Sequence, residues 1–139
     1  MGVWKAVDLT GVEDAVEYLK DMTEEGRGAD IVIEATGLID VWNTSVKMVR
    51  KGGFVLLFGG TKGGSRLDVD ATLLHYFQIT IKGVFHTTPH AVMTALELLE
   101  MGVISSEDFI QEEYKITELE DAILAHASGR VIKTCIVYD

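Results

Sequence analysis

Asp30-Ile-Val-Ile-Glu-Ala-Thr-Gly37, followed by Lys51-Gly-Gly-Phe-Val-Leu-Leu-Phe-Gly-Gly60, is the part of this chain whose reading decides its fold. Each half is a short apolar run closed by glycine. Ile31 to Ala35 and Phe54 to Phe58 are too short for buried helices and are bounded by glycines, so each reads as a strand buried on both faces. Between them, Ile39 to Arg50 has the length of a helix, with apolar residues at Val41, Trp42, Val46 and Val49. Strand, helix and strand at this spacing make a βαβ unit, which implies parallel strands and a right-handed crossover. Ligands of open α/β sheets bind beyond the carboxyl ends of the strands. The candidate crevice therefore lies at Thr36-Gly37 and Gly59-Gly60-Thr61.

Working outward, Val3 to Val7 reads as a short strand. Thr10-Gly-Val-Glu13 is a capping box for a helix carrying Val12, Ala15, Val16, Leu19 and Met22 on one face, stopped by Gly26 and Gly28. Past the central unit, Gly59 to Gly64 read as a loop and Asp70 to Tyr76 as a helical turn or two. Gln78 to Phe85 is a third strand. Thr88-Pro89 places an N-cap before proline at the first helical position. That helix runs to Met101 with Val92, Ala95, Leu96 and Leu99 turned inward. Gln111 to Lys115 is a fourth strand, Thr117-Glu-Leu-Glu120 a second capping box, and Val131 to Tyr138 a last strand. Strands alternating with helices give an α/β fold with a mostly parallel sheet flanked by helices. With no internal repeat and no linker, the 139 residues read as a single domain.

The composition narrows the function classes. A formal net charge of −10, spread over the helices, argues against nucleic acid or an anionic membrane as partner, since both select basic surfaces. No run approaches the length of a membrane helix, and Lys5 and Asp8 interrupt any signal-peptide core at the start. The single cysteine, Cys135, rules out an internal disulfide and suits a reducing cytoplasm.

The motifs are informative chiefly by what they fail to complete. Gly59-Gly-Thr-Lys-Gly-Gly64-Ser65-Arg66 departs from the phosphate-binding pattern G-x-x-x-x-G-K-[ST], so its glycines read as tight turns or a close approach to a ligand. No G-x-G-x-x-G occurs anywhere, which removes the usual pyrophosphate turn. His75, His86, His90 and His126 lack metal-ligand spacing; His86 and His90 are separated by Pro89 at a strand-to-helix turn. Cys135 lies in an apolar strand and reads as a small core residue. Lys133, next to Ile132, reads from its neighbours alone as a solvated strand residue.

Four segments in register nevertheless carry a resemblance. Gly28 to Gly37, Val49 to Gly60, Ile79-Thr-Ile-Lys-Gly-Val-Phe85 and Ser128-Gly-Arg-Val-Ile-Lys133 are similar to the zinc-containing medium-chain alcohol dehydrogenase family, in that family's order. The resemblance is to the carboxyl-terminal part of such an enzyme and implies a partial doubly wound, Rossmann-like sheet. It also implies that the barrel domain with the catalytic zinc, the first strand with its glycine turn, and the second strand with its ribose-binding acid have no counterpart here. Zinc would then belong only to that separate amino-terminal catalytic domain, and the chain alone would be inactive.

Carried over residue by residue, the resemblance implies that backbone at Thr36, Gly37, Phe58, Gly59 and Gly60 lies along NAD or NADP. Val84, Phe85 and His86 would hold the nicotinamide carboxamide, and Lys133 would contact the pyrophosphate. The strand Ile79 to Phe85 would pair across a two-fold axis in a homodimer. A second reading keeps this fold without the chemistry, as a non-catalytic homodimeric binding or interaction module. A third, a Rossmann-like binder such as a methyltransferase, suffers equally from the missing glycine turn. One structural expectation follows from the absent strands: the apolar edge of the strand at Ile31 needs a cover, from Val3 to Val7, Val131 to Tyr138, or a partner chain.

Overall fold

A computed structural model describes residues 3–138. Where the sequence reads as one unit, the contacts of the chain gather into two: Ala6–His86, and a second from Thr87 onward that takes in the first few residues. Among the described residues all strand pairings are parallel. They fall into two sheets, one of three strands and one of two.

In the first unit, Asp14 caps helix α1 (Ala15–Asp21) by accepting the Glu17 N–H at 2.9 Å. The helix begins later than the Thr10–Glu13 box indicates, because the Asp8 carboxylate accepts the Thr10 N–H at 2.9 Å and holds that segment in a turn. The central unit then forms as expected. Strand β1 (Ala29–Glu34), helix α2 (Ile39–Met48) and strand β2 (Val49–Leu57) follow one another, and β3 (Thr80–Gly83) is shorter than the Gln78–Phe85 span read from the sequence. The strand order is β1-β2-β3, with Ile31 opposite Phe54 and Phe54 opposite Thr80.

The core of this unit is Val46, Val49, Val55, Leu57 and Ile79, with Trp42, Leu67, Val69, Leu73 and Phe77 packed against it. Leu67 to Phe77 come from the crossover between β2 and β3, which carries a single wide helical turn at Thr72–Tyr76. That crossover supplies part of the core lid, so the loop after the glycines does more than connect.

One expectation about β1 is overturned. The strand is buried on one face only: Val32 and Glu34 turn inward, while Ile31 and Ile33 are each 63% exposed. Of the covers expected for its outer edge, the two from this chain are absent among the described residues, where only β2 pairs with it. Residues 3–7 form no strand, with Val3 and Trp4 almost fully exposed, and the last strand pairs elsewhere. Neither segment meets the hydrogen-bond register of β1.

The second unit holds a second βαβ arrangement. Strand β4 (Ile110–Lys115), helix α4 (Leu119–Ala127) and strand β5 (Lys133–Val137) give a parallel pair, with Tyr114 opposite Ile136. Small residues on α4, Ala122 and Ala125, are buried together with Val131. The turn into α4 is closed by the Glu118 carboxylate accepting the Lys115 N–H at 2.9 Å, not by the Thr117 box. Arg130 forms an ion pair with Glu112, and the Tyr114 hydroxyl donates to that carboxylate.

Helix α3 (Pro89–Glu100) starts as the sequence indicates, Thr88 Oγ1 accepting the Ala91 N–H at 3.1 Å with Pro89 in the first turn. Its apolar stripe is not inward. Val92 is 54% exposed, and Leu96 and Leu99 are close to half exposed. Periodicity creates a stripe, but only a facing surface buries it. No helix among the described residues is long and apolar enough to cross a membrane.

Leu57 links the β2 ladder to this core at 4% exposure. Truncating it in Leu57→Ala is expected to cost about 2–5 kcal/mol, the range for a buried leucine leaving a cavity. Urea denaturation of the two proteins measures it; a loss below about 1 kcal/mol would mean that the core in this unit is not closed around β2.

Candidate functional site

The carboxyl ends of β1 and β2 meet backbone against backbone. The N–H groups of Phe58 and Gly59 both donate to the Glu34 carbonyl, at 2.8 and 3.0 Å. A Cβ placed on Gly37 would stand 2.3 Å from the Gly60 carbonyl oxygen, and one on Gly59 would stand 2.2 Å from the Gly37 nitrogen. No side chain fits in either place. Gly37 also has φ of 76°, which side-chain-bearing residues adopt only at a cost. The two glycine-tipped ends therefore converge because their glycines permit contact.

Beneath that contact lies a residue whose importance the sequence reading missed. Glu34 is 2% exposed, with its carboxylate turned back onto its own turn. The Thr36 N–H donates to Oε1 at 2.7 Å, the Thr36 hydroxyl donates to the same oxygen, and the Gly37 N–H lies 3.1 Å from it. Thr36 Oγ1 in turn accepts the Leu38 N–H at 3.2 Å, which passes the order on to the start of α2. The clue was available: an acid closing an apolar strand two residues before Thr-Gly is out of place unless the turn supplies donors.

Burial pulls the Glu34 pKa upward, yet the hydrogen bonds from Thr36 and Gly37 outweigh it and leave the carboxyl below its ordinary value of 4.5. The Trp42 indole N–H also lowers it, without making a hydrogen bond of normal geometry, and has no other partner among the described residues.

Around this floor, five of the expected site residues share one cleft of about 320 Å³: Phe58, Gly60, Val84, Phe85 and His86. The Val84 N–H donates to the Leu57 carbonyl at 3.3 Å, so the chain leaving β3 stays tied to the end of β2. Phe58 is 62% and Phe85 86% exposed, and the Phe85 and His86 rings lie 3.7 Å apart. His86 takes a left-handed φ of 65°. Above Gly60 a Cβ would meet nothing within 4 Å, so its backbone faces open space. Thr36, Gly37 and Gly59 form the adjoining wall. Lys133 opens β5 in the second unit and is exposed.

A family model described as zinc-binding dehydrogenase matches residues 1–101, well over half of the chain. The chain belongs to the zinc-binding dehydrogenase family. It is 29% identical over 130 residues to D-arabinitol dehydrogenase 1 of Uromyces fabae, covering 94% of this chain and 37% of that protein. It is 26% identical to a sorbitol dehydrogenase of Halalkalibacterium halodurans, over 98% of this chain and 39% of the other. Among solved structures, an alcohol dehydrogenase zinc-binding domain protein from Burkholderia ambifaria superposes with a TM-score of 0.83 at 22% identity, over 97% of this chain and 36% of that one. These likenesses establish the Rossmann-type fold and the correspondence with the cofactor-binding part of polyol and alcohol dehydrogenases. The chain spans somewhat over a third of the length of these relatives.

No three His, Cys, Asp or Glu side chains come together as a metal site among the described residues, so these residues do not fit the zinc ion of the family name.

Glu34 and Gly59 offer separate tests of the site's floor. Gly59→Ala is expected to destabilise the protein by about 2 kcal/mol or more, read by thermal or urea unfolding, because backbone has to move aside. For Glu34 the folded-state pKa is depressed, so its ionised form stabilises the fold above the ordinary value of 4.5 and that contribution is lost as pH falls below it. Glu34→Gln is therefore expected to be less stable than wild type at neutral pH, with the gap closing in acid. A gap independent of pH would mean that the carboxylate charge does not hold the turn.

Proposed function

We propose that this chain forms the cofactor-binding wall of a zinc-type, NAD(P)-dependent dehydrogenase that oxidises an alcohol or polyol. The observation that carries the reading is the contact of Gly37 with Gly59-Gly60 at the carboxyl ends of adjacent parallel strands, where α/β folds bind ligands. Membership in the family and the names of its relatives support it, polyol dehydrogenases being prominent among them. A structural relative from Sinorhizobium meliloti was determined bound to NADP, at TM-score 0.74 and 24% identity. The nicotinamide, when bound, supplies the hydride chemistry.

In this reading the chain's own groups position and exclude. Thr36, Gly37, Phe58, Gly59 and Gly60 lie along the nicotinamide ribose and ring, with Phe58 and Phe85 shielding it from water. Backbone groups of Val84, Phe85 and His86 hold the carboxamide, and the family resemblance alone assigns Lys133 to the pyrophosphate. The buried Glu34 fixes the Thr36-Gly37 turn without touching cofactor. Catalysis requires a zinc-bearing amino-terminal domain, in the same polypeptide or a separate one, and without it we expect no turnover. The compartment that suits the lone Cys135 is the cytoplasm. Homodimerisation through Ile79 to Phe85 is supported by β3 standing at an edge of its sheet with one strand partner. The non-catalytic homodimeric module stays as the competing reading, and no observation favours it over the cofactor wall.

Fluorescence titration with NADH and NADPH tests the proposal. The chain is expected to bind weakly, with Kd above about 100 µM, because it carries no G-x-G-x-x-G turn. Phe58→Ala and Lys133→Ala should each weaken that binding severalfold. Loss of effect at Lys133 would remove that residue from the site; saturable binding insensitive to Phe58 as well would sink the assignment of the crevice.

A further inference from the structure

The same sheet has a second concavity at the opposite end, where the strands begin. Lys20 from the last turn of α1, Arg27 just before β1, and Arg50 and Lys51 at the start of β2 converge on a pocket of about 370 Å³. Its floor is apolar: Val49, Leu73 and Phe77. Four of the twelve Lys and Arg of a chain with net charge −10 thus gather at one cavity, and no carboxylate lines it. We propose that this pocket binds a small phosphate monoester with an aromatic or aliphatic body, at a site separate from the cofactor crevice.

The backbone is shaped for it. Between two successive pairings of the ladder, β1 advances from Ala29 to Ile31 while β2 advances from Val49 to Phe54. The surplus residues of β2 form a bulge that takes Arg50 and Lys51 out of the ladder. Bulges of this kind re-aim side chains and gather next to sites. The bulge is anchored by the Gly52 N–H, which donates to the Phe77 carbonyl at 2.7 Å, so floor and cations are fixed to each other. The Lys51 ammonium stands 4.6 Å from the centre of the Phe77 ring, a cation–π distance.

Charge selects the ligand. Arg27 is engaged by Glu24 at 3.1 Å and reaches Asp30 at 3.8 Å, while Arg50 Nε donates to Asp30 at 2.5 Å and its Nη1 to the Lys51 carbonyl at 2.6 Å. Those two carboxylates lie outside the pocket wall and fix both guanidinium groups in place. Lys20 and Lys51 have no carboxylate partner among the described residues. Four cations against two carboxylates leave an excess of two, which matches a phosphate monoester carrying close to two negative charges at neutral pH. The apolar floor takes the organic body. The volume is at the small end of the range for ligand sites, so a single ring or short chain fits better than a dinucleotide.

Phenyl phosphate is the probe, titrated into the intact chain by calorimetry beside inorganic phosphate and phenol. The expected result is saturable binding of phenyl phosphate near about 1 mM or tighter, at least about tenfold tighter than either fragment, and weakened by added salt. Lys20→Ala with Lys51→Met should weaken it about tenfold, with folding checked by circular dichroism. Phe58→Ala, at the far end of the strands, should leave it unchanged. The proposal is overturned if wild type shows no saturation, if inorganic phosphate binds as well as phenyl phosphate, or if a folded double variant binds like wild type. Sensitivity to Phe58 would also overturn it, by moving the phosphate to the crevice. Should the double variant fail to fold, the fragment and salt comparisons on wild type decide.

Discussion

The Gly37 backbone rests on that of Gly59 and Gly60, and much of the first unit depends on that contact. Two parallel strands can end side by side in many ways, but atoms 2–3 Å from where a Cβ would stand leave one arrangement. The Glu34 carbonyl and carboxylate secure it from below, the first through Phe58 and Gly59, the second through Thr36 and Gly37. A buried charge is tolerable only when its oxygens are supplied with donors, and here a single turn supplies them. The result is a rigid rim of exposed backbone with Phe58 and Val84 to His86 beside it. Rigidity at such a rim suits the cofactor role proposed for it, because orientation of the bound group is what a protein contributes there.

The two ends of the three-stranded sheet differ chemically. At the carboxyl ends the rim is glycine backbone and aromatic side chains, with its one buried acid satisfied internally. At the amino ends four cations line an apolar hollow in an otherwise acidic protein. The crevice follows from how parallel strands deliver loops to one edge. The cationic hollow follows from an irregularity, the bulge of β2, that no strand pattern requires.

Much of this was legible along the chain. Ile31 to Ala35 and Phe54 to Phe58 appear as neighbouring parallel strands with a helix between, because apolar run length and glycine punctuation are local properties. Thr88-Pro89 starts α3 for the same reason, since a cap is decided within one turn of backbone. The capping boxes at Thr10 and Thr117 show the limit. Each is a valid local option, but Asp8 takes the Thr10 N–H that the first box needs, and α4 begins past Thr117 with Glu118 at its N-cap.

The sequence by itself determined the parallel βαβ units and the glycine-tipped strand ends, because these rest on spacing within short segments, and it carried the family as a resemblance of four segments to known members. Only the tertiary structure decided that Ile31 and Ile33 are exposed, that no second strand among the described residues pairs with the outer edge of β1, and that the α3 stripe is half exposed. It also decided that Glu34 is the buried floor of the crevice, and that Lys20, Arg27, Arg50 and Lys51 meet. Those outcomes depend on which distant segments share a register or a surface, and hydrophobic pattern carries no record of that.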